Sequence, residues 1–159
     1  MISLAKITED NFDECIRLVP KEEQKSFVAP NVTSLAEAYV ALANKECPIP
    51  FAIYNDDKMV GFVLLLYSEA NEEEPENTYW VCRFMIDKKF QGRGYGKEGM
   101  KAVLNYIKGF PFGEASIVKL SYELENQVAR SLYKSVGFIE TGIIDDGEMI
   151  AKLNLQRYR

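Results

Sequence analysis

The run Gln91-Gly92-Arg93-Gly94-Tyr95-Gly96 places three glycines within six residues, and its composition points directly to a chemistry. Glycine lacks the Cβ atom that would hold a ligand's phosphates away from backbone N–H groups, so such a stretch can close into a donor-lined concavity. A helical pattern opens near Gly94, and the unpaired N–H groups of its first turn would face that concavity with the positive end of the dipole. The chemistry implied is capture of a pyrophosphate. Arg93, between two glycines, can add charge-assisted hydrogen bonds.

Spacing separates three phosphate-binding patterns. A P-loop requires Gly-Lys followed by Ser or Thr for a magnesium ion, and here Gly96-Lys97 is followed by Glu98. The run Gly94 to Gly99 satisfies G-x-G-x-x-G, but a dinucleotide fold places that fingerprint after its first strand and continues long beyond it. The third pattern, Gln-x-x-Gly-x-Gly, is met by Gln91, Gly94 and Gly96. It resembles the loop with which the Gcn5-related N-acetyltransferases (GNAT) hold acetyl-CoA. Further on, Asn126, Ala129, Leu132, Tyr133, Gly137 and Phe138 stand at the spacing of that family's Asn-x-x-Ala-x-x-Leu-Tyr-x-x-x-Gly-Phe segment.

The resemblance implies acetyl-CoA as cosubstrate, no metal, and transfer of acetyl to a primary amine through a tetrahedral intermediate. Gln91, Gly92, Arg93, Gly94, Tyr95 and Gly96 would take the pyrophosphate. Phe84, Met85 and Ile86 would pair with the pantetheine arm by strand addition. Asn126 would meet the arm near the thioester, and Tyr133 would act as general acid toward the departing thiolate. From the residues alone, Asn126 is also a helix N-cap, and Tyr133 is also an aromatic ring packing on Leu132 and Phe138. An amine with a pKa near 10 must lose a proton before it attacks. Some relatives carry a glutamate on the central strand for this, at the position of Cys82. The base is therefore open between Glu22, Glu23 and a held water.

The segment Glu23 to Asn31, followed by Ser34-Leu35-Ala36-Glu37-Ala38, resembles the substrate-side helices of the BltD-like spermine/spermidine acetyltransferases. This makes a small polyamine the expected acceptor, with Glu22, Glu23, Phe27 and Trp80 as the expected substrate contacts. Acidic clusters at Glu69, Glu72, Glu73, Glu74 and Glu76 and at Asp145, Asp146 and Glu148 would attract a polycation, though such clusters are ordinarily solvated loops. Acetylation of an aminoglycoside or other small amine, acetylation of a protein N-terminus or lysine, and a non-catalytic CoA sensor stay open.

Composition bounds the rest. At 159 residues and 47% hydrophobic, the chain suits one domain spanning residues 1–159. With no histidine, a His-dependent triad is excluded, as is a zinc site of the usual ligands. A net charge of −5 argues against nucleic acid. Cys15, Cys47 and Cys82 read as reduced core residues, and no basic, apolar leader or membrane-length run is present, so a cytoplasmic protein is expected. A homodimer is compatible with all of this.

These residues need elements to position them. Ile2 to Ile7 reads as a strand, and Thr8 as the cap of a helix ended by Pro20. Ser34 to Glu37 forms a capping box for a helix whose apolar face would be Leu35, Ala38, Tyr39 and Leu42. Pro48 and Pro50 would close that unit before two strands, Phe51 to Tyr54 and Met59 to Tyr67, around a turn at Asn55 to Lys58. A central strand from Trp80 to Ile86 leads into the glycine loop and a helix with Met100, Val103, Leu104 and Ile107 inward. The strand Ala115 to Ser121, the Asn126 helix ended by Gly137, and strands Phe138 to Ile143 and Glu148 to Leu155 complete the order. The expected class is α/β (α+β): the GNAT fold, a mixed, mostly antiparallel sheet of about seven strands, with helices on both faces and a splayed central cleft.

Overall fold

Alternating apolar residues give seven strands, and their pairing creates the cleft. The computed structural model describes residues 1–158. In chain order the elements are β1 (Ile2–Lys6), α1 (Phe12–Arg17), a 3-10 turn (Glu22–Gln24), α2 (Asn31–Ala43), β2 (Cys47–Asn55), β3 (Lys58–Ser68) and β4 (Thr78–Ile86). There follow α3 (Tyr95–Ile107), β5 (Ile117–Glu123), α4 (Gln127–Val136), β6 (Ile139–Asp145) and β7 (Glu148–Asn154). The strands form one sheet in the order β1-β2-β3-β4-β5-β7-β6. Every pairing is antiparallel except β4 with β5.

Both faces are covered, as the apolar runs in β3 and β4 require. Ile53, Val63, Leu65 and Val81 pack with Met100, Val103 and Leu104 of α3 and with Tyr133 and Val136 of α4. Ala52, Phe62, Leu64 and Met85 point to the other face, against Cys15 of α1, Leu18 just after it and Ala38 of α2. Burying a Leu, Ile or Val side chain contributes about 1.5–3 kcal/mol, so the two layers together hold the sheet between the helix pairs.

Three local expectations change. Asn11, not Thr8, is the cap residue of α1, because the Thr8 carbonyl accepts the N–H groups of Asn11 and Phe12 and turns the chain before the helix begins. The α2 helix starts at Asn31, with Pro30 before it, and Ser34 lies buried in its second turn with no partner for its hydroxyl. The buried stripe is Asn31, Ser34 and Ala38, with Leu35 packed beside it, and Tyr39 and Leu42 are exposed. Finally, β2 runs back through Pro48 and Pro50. Proline is tolerated there because β1 pairs only with Phe51–Asn55, so the earlier part of β2 is a sheet edge with no ladder bond to lose on that side.

Candidate functional site

The parallel pairing of β4 with β5 ends at Val81 opposite Leu120. Beyond it, β5 continues to Glu123 with β7 while β4 continues to Ile86 with β3, so the two central strands part. Opposite Leu64 and Leu65 the register skips Cys82, a bulge of the kind that bends and twists a strand where a site is built. The opening is a cavity of about 690 Å³.

Its phosphate end is made by the glycine loop. Gly94 precedes α3 with φ +84°, a left-handed conformation that suits glycine, and no side chain caps the helix. The first-turn donors of α3 therefore stay available to an anion. Gln91, Gly92, Gly94, Tyr95 and Gly96 line the cavity. The Gln91 side chain donates to the Ile86 carbonyl at 2.9 Å, and the Tyr95 hydroxyl accepts from Asn55 at 3.1 Å. Arg93 is exposed and stands outside the wall, its guanidinium 5.7 Å from the centre of the Phe90 ring.

The arm's expected track, Phe84, Met85 and Ile86, also lines the cavity, with Asn126 and Tyr133 facing it from the other side of the parting. Asn126 caps α4, its Oδ1 accepting from the Ala129 N–H at 3.2 Å. Gly137, at φ +111°, ends that helix. These two terminal signals fix where Tyr133 falls on α4. Its ring is 8% exposed, among Phe84, Tyr122 and Phe138 at centroid distances of 6.5, 5.8 and 5.9 Å. Burial raises the Tyr133 pKa well beyond the ordinary tyrosine range, and Tyr122 adds to the shift, so the phenol keeps its proton at neutral pH. Tyr122 is already committed, donating to Glu140 at 2.7 Å, and burial with that bond pushes its pKa to about 12.

Of the expected substrate contacts, Phe27 lines the cavity, whereas Glu22, Glu23 and Trp80 do not. Glu22 pairs with Lys25 at the surface, and Trp80 lies beneath the Lys119 ammonium, 5.7 Å away. The acidic residues between Glu69 and Glu76 are also outside the wall. They precede β4, at the end of the strand remote from the parting, and Glu74 pairs with Lys119 at 2.6 Å.

Gln24, Arg83, Glu123 and Glu148 are among the other polar residues of the wall. Gln24 exchanges hydrogen bonds with Gln91. Arg83 bonds Glu37 of α2 at 3.1 Å and the Cys82 carbonyl at 2.8 Å, while its Nε lacks a partner. Glu123 and Glu148 are paired across β5 and β7. Burial raises the Glu148 carboxyl above the usual carboxylate range, Glu123 adds to the shift, and Arg83 opposes it. The last-hairpin acidic cluster contains Glu148 in the sequence, but nothing local separates it from Asp145 and Asp146, which stay exposed outside. Cys82 lines the cavity, but burial pushes its thiol to about 11, so it is not a thiolate nucleophile at neutral pH. Among the described residues no group of His, Cys, Asp or Glu is gathered for a metal ion, and no helix is long and apolar enough to cross a membrane.

A donor-lined loop, a parted strand edge and a protonated phenol around one cavity suit a phosphate-bearing acyl carrier and its acceptor. Comparison with known proteins agrees. The model of the acetyltransferase (GNAT) family matches residues 12–138. The spermine/spermidine N(1)-acetyltransferase of Bacillus subtilis (strain 168) is 29% identical over 153 residues, covering 94% of this chain and 95% of that protein. Among solved structures, the spermidine N-acetyltransferase of Vibrio cholerae in complex with CoA and spermine is similar with a TM-score of 0.72 at 17% identity, covering 99% of this chain and 97% of that one. The aminoglycoside N(6')acetyltransferase of Legionella pneumophila is similar with a TM-score of 0.73 at 15% identity, covering 98% and 92%.

Proposed function

The chain belongs to the GNAT acetyltransferase family and is an N-acetyltransferase, and from that premise we propose that it acetylates a primary amine of a polyamine such as spermine or spermidine, using acetyl-CoA. The observation that carries this reading is a single cavity lined by the glycine loop, the free edge of β4, Tyr133 and the carboxylates Glu123 and Glu148. The spermine/spermidine relatives and the CoA-bound neighbour support the choice of substrates.

Acetyl-CoA supplies an activated acyl thioester that an amine nitrogen can attack. The backbone donors at Gly94 to Gly96 and the first turn of α3 hold the pyrophosphate. Gln91 and the β4 edge orient the arm, and the walls exclude water from the acyl group. Tyr133 presents its O–H to the sulfur. A thiol with a pKa near 8.5 is a stronger acid than this raised tyrosine, so full proton transfer at rest is uphill. The phenol therefore acts by a hydrogen bond that strengthens as negative charge grows on the sulfur.

The cysteines, all free among the described residues, suit a reducing cytoplasmic compartment. The β6 edge, with Ile139, Ile143 and Ile144 exposed, is the surface on which a homodimer would form, which light scattering would read.

Thiol release from acetyl-CoA tests the function, with spermidine, spermine, kanamycin and a monoamine of matched length as acceptors. The expected order places the polyamines above the monoamine in kcat/KM, with rates falling as salt screens the carboxylates beyond a Debye length of roughly 8 Å. Equal rates for polyamine and monoamine, insensitive to salt, would remove the polyamine reading.

A further inference from the structure

Three carboxylates form a row across the last three strands. Glu123 of β5 stands opposite Glu148 of β7, which in turn stands opposite Asp145 of β6. Like charges directly opposite one another destabilise a sheet, so folding alone does not favour the row. Its members differ in surroundings. Asp145 is exposed, while Glu123 and Glu148 are half-buried and line the same cavity as Tyr133 and Asn126. They lie on the β5/β7 side of the parting, across the cavity from the β4 edge. On β4, Cys82 also lines the cavity, but it is a neutral thiol that cannot accept a proton from an ammonium ion at neutral pH.

We propose that Glu148 holds the ammonium group of the acceptor and takes its proton, with Glu123 completing the seat for the cation. This rests on the acetyltransferase reading above. The charged groups facing Glu148 are Glu123 on β5, Asp146 in the hairpin turn, Asp145 on β6 and Arg83 on β4. Arg83 is the only cation of the set, and it shares its charge with Glu37 at 3.1 Å. The seat is therefore net negative and open to a second cation. In the step, one N–H bond of the ammonium ion breaks and its proton passes to the Glu148 carboxylate. The freed lone pair forms the C–N bond to the thioester carbonyl carbon, and the tetrahedral intermediate then collapses as the C–S bond breaks. The second proton lost by the nitrogen joins the departing thiolate, giving free thiol and amide, and Glu148 returns its proton to solvent. Burial and Glu123 raise the Glu148 carboxyl, which strengthens it as a base.

Calorimetry of spermidine binding in the presence of CoA, together with pH profiles of thiol release, tests this on wild type, Glu148→Gln and Glu148→Asp. Glu148→Gln should weaken spermidine binding by about tenfold or more, since a hydrogen bond to a charged group is lost. It should also abolish the limb of kcat/KM that falls as pH drops through the raised carboxyl, leaving a rate that climbs as the ammonium ion loses its proton toward pH near 10. Glu148→Asp keeps the charge and should keep that limb with a lower kcat. Removing a repelled charge should hold the melting temperature of Glu148→Gln at or above wild type, which separates a lost role from a lost fold. A folded Glu148→Gln chain that binds spermidine with wild-type affinity and retains the acid limb overturns the inference. A wild-type chain that binds spermidine through Glu148 but releases no thiol with any amine overturns acetyl transfer and the proton step, and supports the cation seat.

Discussion

The side-chain amides of Gln24 and Gln91 exchange two hydrogen bonds, of 2.8 and 3.1 Å, across the cavity rim. One residue ends the 3-10 turn and the other begins the glycine loop, so the pair ties the two walls together. Gln91 keeps a third bond, to the Ile86 carbonyl at 2.9 Å, and through it the loop is fixed to the end of β4.

Replacing Gln24 with Ala should leave Gln91 held by Ile86 alone. Two neutral hydrogen bonds contribute about 0.5–1.5 kcal/mol each, so CoA affinity is expected to fall by about five- to 150-fold if both serve the loop, with KM for the amine rising as the turn loosens. Calorimetry with CoA and steady-state kinetics check this. An unchanged amine KM would separate the two walls.

Gly94→Val should cost about 1–3 kcal/mol of stability, because a β-branched residue is strained at φ +84°. CoA affinity should fall by more than that strain accounts for, since the added methyls occupy the space where phosphate meets the α3 donors. No protein atom stands within 4 Å of a Cβ built at Gly94, so crowding by the fold itself is not the reason. Parallel thermal melts and CoA titrations distinguish the two effects.

Tyr133→Phe keeps the ring that packs on Phe84, Tyr122 and Phe138 and removes only the hydroxyl. The melting temperature and CoA affinity should remain close to wild type while kcat drops by about 10²–10³-fold, as expected for loss of one donor to developing charge. Wild-type turnover would assign Tyr133 to packing.

Arg130 binds Glu140 at 2.6 Å, and Glu140 accepts the Tyr122 hydroxyl beside the cavity floor. These bonds, Tyr122 first and Arg130 next, lower the Glu140 pKa below its ordinary 4.5. A depressed carboxyl contributes stability above its unfolded pKa and loses it as pH falls through the folded one, so the network should weaken below pH 4.5. Tyr122 has the opposite sign. Its pKa, raised from 10.0 to about 12, contributes stability that is full below 10.0 and fades as pH rises toward 12. Glu140→Gln should melt lower than wild type at neutral pH and converge with it in acid, as melts at several pH values would show.

The part of this protein that its sequence determines is the part made of short-range geometry. Gln91 to Gly96 is readable as a phosphate loop because absent Cβ atoms and a following helix act within a few residues. The cap at Asn126 and the stop at Gly137 fix α4 locally, and with it the position of Tyr133. The element order follows from apolar periodicity of the same local kind, whereas the mixed sheet was implied by the family resemblance. The start of α2 misleads a local reading, because Ser34 through Glu37 has the form of a capping box and only packing against Cys15 and Met85 draws the helix back to Asn31, whose amide reaches both. Pro48 and Pro50 lie within a strand because β1 is too short to cover them, which no residue near them encodes.

The surroundings of Glu148 and Gln24 were decided by tertiary structure alone. Glu148 becomes distinct from Asp145 and Asp146 only when β5 and β7 pair, setting it opposite Glu123 and within reach of the field of Arg83 on β4. Gln24 gains a role only because the chain returns 67 residues later to set Gln91 beside it. The physical reason is the same in each case. A carboxylate or amide takes its chemistry from the charges, donors and dielectric around it, and here those are supplied by strands and helices distant in the chain that meet only in the packed sheet.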